Sequence, residues 1–186
     1  MVTFHPVTLD RQSSEDQLAE LLAALDRLEE TRLIFTMPNA DTGGRALMTS
    51  LESYVASRAH ARVFTSLGQM KYLSCLRHVD GVVGNSSSGL TEAPTFKKGT
   101  VNIGDRQKGR LKAPSVIDCV PDRDAIGSAL TRLFSPAFRA VLAATVNPYG
   151  DGGASERIVE TIKDYPLAGL TIKSFYDLDR AAPVAG

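Results

Sequence analysis

The sequence predicts an α/β protein built on a parallel sheet, and three observations support this fold class. Short apolar segments alternate with amphipathic helical segments along the chain, as they do in βαβ units. A buried strand at 80–84 leads into a glycine- and serine-rich turn at 85–89 that opens a helix, which is typical of a strand-to-helix connection at a ligand site. The length of 186 residues, with 43% hydrophobic content, suits one domain with an adequate core.

The first helix has the clearest pattern. Ser13 or Ser14 can cap it, and Glu15 and Asp16 suit its first turn because acidic groups are favourable there. Leucines recur at helical spacing along one face: Leu18, Leu21, Leu22, Leu25 and Leu28. We expect this face to belong to the core rather than to bind a partner.

The other elements follow in alternation. After a first strand that ends at His5-Pro6, strands are predicted at 32–37, 61–66, 80–84, 101–103 and 116–118. Helices are predicted at 45–58, 69–78, 123–133, 136–143 and 155–164, and a further helix follows the serine turn. We expect residues 1–164 to form the domain and residues 165–186 to form an irregular tail.

Charge and cysteine content exclude several classes of function. The 21 basic and 21 acidic residues give a formal net charge of zero, so the chain lacks the electrostatic signature of a protein that binds nucleic acid or a membrane surface. No apolar run approaches the ~20 residues that span a bilayer. Cys75 and Cys119 have neither the paired spacing of a metal site nor the density of a disulfide scaffold. We therefore expect a soluble, cytoplasmic protein with no role at nucleic acids or membranes.

The segment 82–94 is the most informative part of the chain. Ser86, Ser87 and Ser88, with the amides that start the helix, could bind a phosphate. We expect Glu92 to lie in that helix, about a turn and a half further on, where it could accept two hydrogen bonds from a ribose diol. A second interpretation stays open at this point, in which Asn85 and the serines only cap the helix with their own side chains.

A second polar loop follows the strand at 101–103 and carries Asp105, Arg106, Lys108 and Arg110. Because ligands of open parallel sheets bind outside the carboxyl ends of the strands, this loop and the serine turn could clamp a diphosphate. The alternative is that Arg106 and Arg110 are surface charges paired with Asp105.

His5 and Asn39 end the first two strands and should lie on the same rim as these loops. The alternatives are a half-buried histidine beside a turn proline for His5, and ordinary turn residues before Gly43-Gly44 for Asn39 and Asp41. No cluster of Asp and His side chains indicates a metal, and no cofactor is expected.

Taken together, these motifs resemble the hydrolysing UDP-N-acetylglucosamine 2-epimerases. The resemblance rests on His5-Pro6-Val7-Thr8, on the segment from Gly84-Asn85-Ser86-Ser87-Ser88-Gly89 to Glu92-Ala93-Pro94, and on the segment 102–110. Further matches at 38–41 and 147–152 extend it over most of residues 1–164, and the sialic-acid and related nonulosonate branch is the most similar. The resemblance implies a Rossmann-like domain that is the C-terminal half of a two-domain GT-B-like fold. We expect the amino-terminal domain to be missing from this chain.

The resemblance also assigns roles to residues. It implies a UDP site in which Ser86, Ser87 and Ser88 hold the diphosphate and Glu92 holds the ribose. Leu67 and Gly68 would contact the uracil through backbone groups and apolar surface. Asn39, His5 and Arg106 would line the phosphate and sugar side.

In the family reaction, the proton at C2 of the sugar is abstracted and UDP leaves C1, and the resulting glycal is hydrated to N-acetylmannosamine. His5 and Arg106 are the catalytic residues that the resemblance implies here, because either could stabilise the leaving diphosphate. The key carboxylates come from the amino-terminal domain in the family. The chain is therefore expected to bind UDP or UDP-N-acetylglucosamine and to be inactive alone.

Two other functions stay open on sequence grounds. The chain could be the donor-binding domain of a GT-B glycosyltransferase, or a module that binds UDP-sugars without chemistry. The face that should pack against the missing domain could also make the chain a homo-oligomer.

Overall fold

The computed structural model describes residues 1–7, 12–39, 43–172 and 175. Within these ranges, the strands are β1 (Val2–Thr3), β2 (Leu33–Thr36), β3 (Ala61–Phe64), β4 (Gly81–Gly84), β5 (Gly99–Ile103) and β6 (Val116–Cys119). They form one parallel sheet in the order β3-β2-β1-β4-β5-β6. This is the strand order of a doubly wound Rossmann sheet, so the predicted fold class is confirmed.

The helices begin and end close to the predicted residues. They are α1 (Ser14–Leu25), α2 (Gly44–Ala56), α3 (Gly68–His78), α4 (Ser88–Thr91), α5 (Arg123–Leu133), α6 (Pro136–Ala144) and α7 (Ala154–Asp164). Side chains cap three of the described helices. Ser13 Oγ accepts from the Asp16 N–H at 3.1 Å, as predicted, Asp122 accepts from the first amides of α5, and Ser135 Oγ accepts from the Phe138 N–H at 3.2 Å in α6. No described helix is both long enough and apolar enough to cross a bilayer.

The helix after the serine turn is shorter than predicted. Helix α4 has only four residues, and a 3₁₀ helix (Ala93–Phe96) follows it. Pro94 explains the break, because proline has no N–H for an α-helical hydrogen bond and disfavours helical geometry in the residue before it. Glu92 therefore lies at the junction of two short helices rather than inside one α-helix.

The core has two parts, one on each face of the sheet. Helices α1, α2, α5 and α6 cover one face, where Leu21, Leu47 and Leu130 are fully buried. Helix α3 and the 3₁₀ helix cover the other face around Leu76 and Val82. Residues of β4 alternate between the two clusters, so the centre of the sheet is buried on both sides, as expected for parallel strands.

The chain divides into two compact units, residues 1–151 and residues 152–186. The first contains the whole sheet and helices α1–α6. In the second, α7 is an exposed helix followed by turns up to Ile172. Most of the predicted tail at 165–186 lies outside the described residues, so the division at residue 164 stays a prediction.

Candidate functional site

The site forms where β1 and β4 lie side by side. The chain moves outward from β1 to β3 and returns through β4, and ligands of doubly wound sheets bind at this switch point, outside the carboxyl ends of the strands. Thr3 pairs with Gly84 at the ends of the two strands. Gly84 has a φ of 132°, and a Cβ there would lie 2.0 Å from the Thr3 carbonyl oxygen. Glycine is therefore required for this close approach.

Asn85 is fully buried and joins the loops that follow β1, β4 and β5. Its Oδ1 accepts from the His5 N–H at 2.7 Å, and its Nδ2 donates to the His5 carbonyl at 2.9 Å. Its own carbonyl accepts from Arg106 Nη1 at 3.1 Å and from Gln107 Nε2 at 2.7 Å. The candidate catalytic residues His5 and Arg106 are thus both bonded to the residue that starts the serine turn.

The loop after β5 presents its charges to solvent and buries an amide. Arg106, Lys108 and Arg110 are exposed, whereas Gln107 is 1% exposed. Asp105 forms a 3.3 Å ion pair with Lys108. The neutral Gln107 side chain therefore anchors this loop, and the arginines are held on its outer side.

The serine turn presents a row of backbone amides. The N–H groups of Ser86, Ser87 and Ser88 have no acceptor among the described residues. Ser87, the residue before α4, makes no side-chain capping bond. Because α4 is so short, its dipole contributes little, and an anion would bind chiefly to the amides themselves.

Tyr72 links the serine turn to α3. Its hydroxyl forms a short hydrogen bond with Ser88 Oγ. Burial raises the pKa of the Tyr72 phenol; the hydrogen bond with Ser88 offsets part of this rise, the nearby Glu92 carboxylate adds to it, and Thr3 has the smallest, lowering effect. The phenol therefore stays protonated at neutral pH and can act as a hydrogen-bond donor.

A cleft of about 450 Å³ lies at the ends of β1, β2 and β3, beside α3, within the range of small-molecule sites. Five of the predicted site residues line it: His5, Asn39, Leu67, Gly68 and Glu92. Other lining residues include Thr3, Thr36, Ser66, Gln69 and Tyr72. The remaining predicted residues, Ser86, Ser87, Ser88 and Arg106, are not part of the lining. Two hydrogen-bond links join them to the cleft: Tyr72, a lining residue, bonds to Ser88, and Asn85 bonds to both Arg106 and the lining residue His5.

Glu92 is half-buried at the cleft, and its Oε2 accepts from Thr91 Oγ1 at 2.9 Å. Asn147 holds the segments on either side of Glu92, because its Nδ2 donates to the Thr91 backbone carbonyl at 2.8 Å and to the Thr95 side-chain oxygen Oγ1 at 2.7 Å. A carboxylate has about four acceptor positions, so one bond from Thr91 leaves capacity for a diol.

Asn39 reaches the site through its backbone. Its N–H donates to His5 Nδ1 at 3.4 Å, while the residue itself is exposed. With Nδ1 as the acceptor, a neutral His5 ring carries its proton on Nε2. Asp41, which the sequence placed in the same loop, lies outside the described residues.

Leu67 and Gly68 form the far wall of the cleft. Leu67 is half-buried and packs against the smaller core cluster. Gly68 has a φ of 61°, and its N–H donates to Ser66 Oγ at 3.1 Å. The apolar surface expected for a base is therefore present at Leu67, whereas the Gly68 amide already has a partner.

No group of three His, Cys, Asp or Glu side chains within the described ranges could hold a metal ion. Near the end of β6, the Asp118 carboxylate is occupied by Lys112 Nζ at 2.8 Å and by Asn102 Nδ2 at 2.7 Å. The groups gathered at the site are amides, hydroxyls, an imidazole, a guanidinium and the single Glu92 carboxylate, a set that suits a phosphorylated ligand with a hydroxylated sugar better than a cation.

Sequence reasoning missed three residues of this site: Asn85, Gln107 and Tyr72. Asn85 was predicted at most to cap the helix, and no role was predicted for Gln107. Their positions could have identified these two residues, because both lie within a few residues of a strand end or a helix start on the ligand side of the sheet. Tyr72 carried no such signal, since its hydroxyl meets Ser88 only through the tertiary packing of α3.

A comparison with known families decides which protein class this site belongs to. The profile of the UDP-N-acetylglucosamine 2-epimerase family matches residues 1–163. The chain belongs to this family. The expected family is thereby confirmed.

Individual relatives agree with this membership. The GDP/UDP-N,N'-diacetylbacillosamine 2-epimerase (hydrolyzing) of Campylobacter jejuni is 38% identical over 180 residues, which are 96% of this chain and 46% of that protein. The polysialic acid biosynthesis protein P7 of Escherichia coli is also 38% identical, with the same coverage of 96% and 46%. These names agree with the expected sialic-acid and nonulosonate branch. The chain spans about half the length of these curated relatives.

A solved structure shows the same fold. The Methanocaldococcus jannaschii UDP-GlcNAc 2-epimerase, crystallised with UDP-GlcNAc and UDP, superposes with a TM-score of 0.66 over 87% of this chain and 44% of that chain. The identity is 14%, so the likeness concerns the fold alone. It places this chain among GT-B-like epimerase folds, as predicted.

Proposed function

We propose that this chain is the UDP-binding part of a hydrolysing UDP-sugar 2-epimerase, whose active site is completed by a second domain. The proposal rests on one observation: Glu92 and His5 line one cleft at the rim of the sheet, and Asn85 bonds to both His5 and Arg106 where the serine turn begins. Glu92 can accept from a ribose diol, and the amides, the imidazole and the guanidinium can bind a diphosphate and stabilise it as it leaves. Family membership supports the same assignment.

In the proposed complex, the nucleotide follows the cleft. The uracil lies against Leu67, and the ribose hydroxyls donate to Glu92. The diphosphate then reaches the amides of Ser86, Ser87 and Ser88, whose N–H groups have no acceptor among the described residues. UDP also occurs in the M. jannaschii crystal structure with the same fold.

The proposed reaction breaks the C2–H and C1–O bonds of the sugar, and UDP departs with the C1–O electron pair. Water then adds across the resulting double bond with inversion at C2, which gives a free 2-epimeric sugar. His5, with its proton on Nε2, and the Arg106 guanidinium would stabilise the negative charge that develops on the diphosphate. N-acetylglucosamine is the proposed sugar, and the name of the C. jejuni relative makes a diacetylated bacillosamine the main competitor.

The chain alone is proposed to be inactive, because it offers too few carboxylates for the chemistry at C2. Glu92 is the only carboxylate among the described residues that line the cleft, and it is assigned to the ribose. The relatives are about twice as long as this chain, which leaves room for a domain that supplies the base. Incubation of the chain with UDP-N-acetylglucosamine should release no UDP, and turnover would contradict this part of the proposal.

A calorimetric titration with UDP tests the nucleotide site. Glu92→Ala should weaken binding at least tenfold, since hydrogen bonds to a charged group are worth about 1.5–3 kcal/mol. Glu52→Ala is the matched control, because Glu52 is an exposed glutamate of α2 that does not line the cleft. The proposal is wrong if the folded parent chain does not bind UDP, or if Glu92→Ala binds it as tightly as Glu52→Ala does.

A further inference from the structure

We infer that Asn85 is a positioning residue that sets the place of the His5 imidazole at the ligand-side rim. This inference rests on the proposed function, because it concerns a catalytic group of that reaction. Asn85 itself is fully buried, so it acts through His5 and not by touching the ligand with its side chain.

The side chain of Asn85 fixes both polar groups of the His5 backbone. Its amide accepts from the His5 N–H at 2.7 Å and donates to the His5 carbonyl at 2.9 Å. This two-point contact continues the pairing of Thr3 with Gly84 one step beyond the end of the strands. An asparagine amide carries an acceptor and a donor on separate atoms, which matches the His5 N–H and carbonyl at once.

The backbone of Asn85 is fixed in turn by the loop after β5. Arg106 Nη1 and Gln107 Nε2 both donate to its carbonyl, at 3.1 and 2.7 Å. Its N–H donates to the Thr3 carbonyl at 3.2 Å. Asn85 therefore cannot shift without breaking these backbone bonds. A displacement of His5 must break at least one of its two hydrogen bonds with the Asn85 side chain.

Two other contacts show what the position of His5 controls. The His5 ring accepts from the Asn39 N–H through Nδ1, and this contact is possible only while the His5 backbone stays in place. The next residue after Asn85 is Ser86, the first of the three serines whose amides have no acceptor in the described part of the chain. Asn85 thus fixes the distance between the imidazole and the proposed diphosphate site, which is the geometry that catalysis of a leaving group requires.

The ring signals of the three histidines, His5, His60 and His78, provide the test by NMR spectroscopy. The His5 signal is identified by its loss in His5→Gln. In the ligand-free chain, Asn85→Ala should shift or broaden the His5 signal and leave those of His60 and His78 in place. With UDP added, the parent should show a ligand-induced shift of the His5 signal that is lost or reduced in Asn85→Ala.

Asn102→Ala is the matched control. Asn102 is also a buried asparagine, on the neighbouring strand β5, but its side chain donates to Asp118 Oδ1 at 2.7 Å. It should lower stability without moving the His5 signal. A His5 signal that is the same in Asn85→Ala as in the parent overturns the inference, as does an equal shift in Asn102→Ala.

The ligand-free measurement separates this inference from the proposed function. If the parent does not bind UDP, the proposed function fails, and the ligand-free spectra still decide whether Asn85 positions His5. If Asn85→Ala does not fold, Asn85→Asp replaces it, since a carboxylate can accept from the His5 N–H but cannot donate to the His5 carbonyl. If neither variant folds, hydrogen exchange in the parent decides: a His5 N–H that exchanges as fast as an exposed amide contradicts the inference.

Discussion

The two ends of the parallel sheet use polar side chains in different ways. At the carboxyl end, Asn85 and Gln107 are buried and bond to backbone groups of other loops. At the amino end, the Asp26 carboxylate accepts from the Tyr54 hydroxyl at 2.8 Å and from Arg58 Nη2 at 2.6 Å, near the surface. Neutral amides shape the ligand-side loops, whereas charged groups tie helices α1 and α2 together.

Desolvation explains this difference. A neutral amide can be buried at modest cost once it is hydrogen-bonded, whereas a buried charge must recover several kcal/mol of lost hydration. The carboxyl end needs a rigid backbone at the proposed ligand site, and neutral amides provide it at buried positions. The amino end binds nothing in the proposed function and tolerates a half-exposed ion pair. Four substitutions test this contrast, and they are ordered by expected effect on the free energy of unfolding.

Gly84→Ala should have the largest effect. A Cβ at this position would lie 2.0 Å from the Thr3 carbonyl oxygen, at a φ of 132°, so strand separation and backbone strain should cost about 3–5 kcal/mol or prevent folding. Gly127→Ala in α5 is the control, because its Cβ would meet nothing closer than 3.7 Å. Urea unfolding should show Gly127→Ala at least as stable as the parent, and equal stability of the two variants would contradict the assigned close approach.

Gln107→Ala should cost about 1–3 kcal/mol, since it removes a buried hydrogen bond to the Asn85 carbonyl and leaves a cavity. Thermal and urea unfolding measure the loss. UDP affinity should fall as well, because the Arg106 loop loses its buried anchor. Unchanged stability would mean that Arg106 alone holds the loop.

Asp26→Asn should cost about 1 kcal/mol at neutral pH, a value reduced for the 40% exposure of the Asp26 side chain. Hydrogen bonding from Arg58, and secondarily from Tyr54, lowers the pKa of Asp26 in the folded chain. A lowered folded pKa gives stability that is present above the unfolded value and is lost as the pH falls through the folded value. Urea unfolding should therefore show a difference between parent and variant that shrinks as the pH falls below about 4. A pH-independent difference would exclude the ion pair as its source.

Lys108→Ala should have the smallest effect, within about 0.5 kcal/mol, because exposed ion pairs contribute little. Lys108 pairs with Asp105 at 3.3 Å, and both side chains are 77% exposed. Lys108 follows Gln107 directly in the chain. A comparison of Lys108→Ala with Gln107→Ala therefore separates the effect of burial from the effect of position in the loop. A loss as large as that of Gln107→Ala would show that the carboxyl end depends on charge after all.

Much of the fold could be predicted because local patterns determined it. The helix predicted at 123–133 has the bounds of α5, Arg123–Leu133, and the residues at which β3 and β4 start were predicted to within one position. The predicted extension of α4 through Glu92 was wrong, although Pro94 disfavours an α-helix that continues through the preceding residues.

The site was predictable to the extent that strand ends gather at one rim. His5, Asn39, Leu67, Gly68 and Glu92 share the cleft for this reason. The bonds of Asn85 to His5 and of Tyr72 to Ser88 could not be predicted, since each joins elements whose packing is not encoded in a local pattern. The separation of the serine turn from the cleft lining is likewise a result of tertiary structure.

The pairing of Asn85 with His5 also bears on the order of folding. The two residues are 80 positions apart in the chain, and contacts of such long range form only after the intervening loop has been closed. Strands β1, β2 and β3 can assemble from nearer neighbours, but the rim that holds the imidazole exists only once β4 has docked beside β1. We therefore expect the ligand-side rim to form late in folding, so a molecule in which β4 has not yet docked beside β1 would lack a formed site.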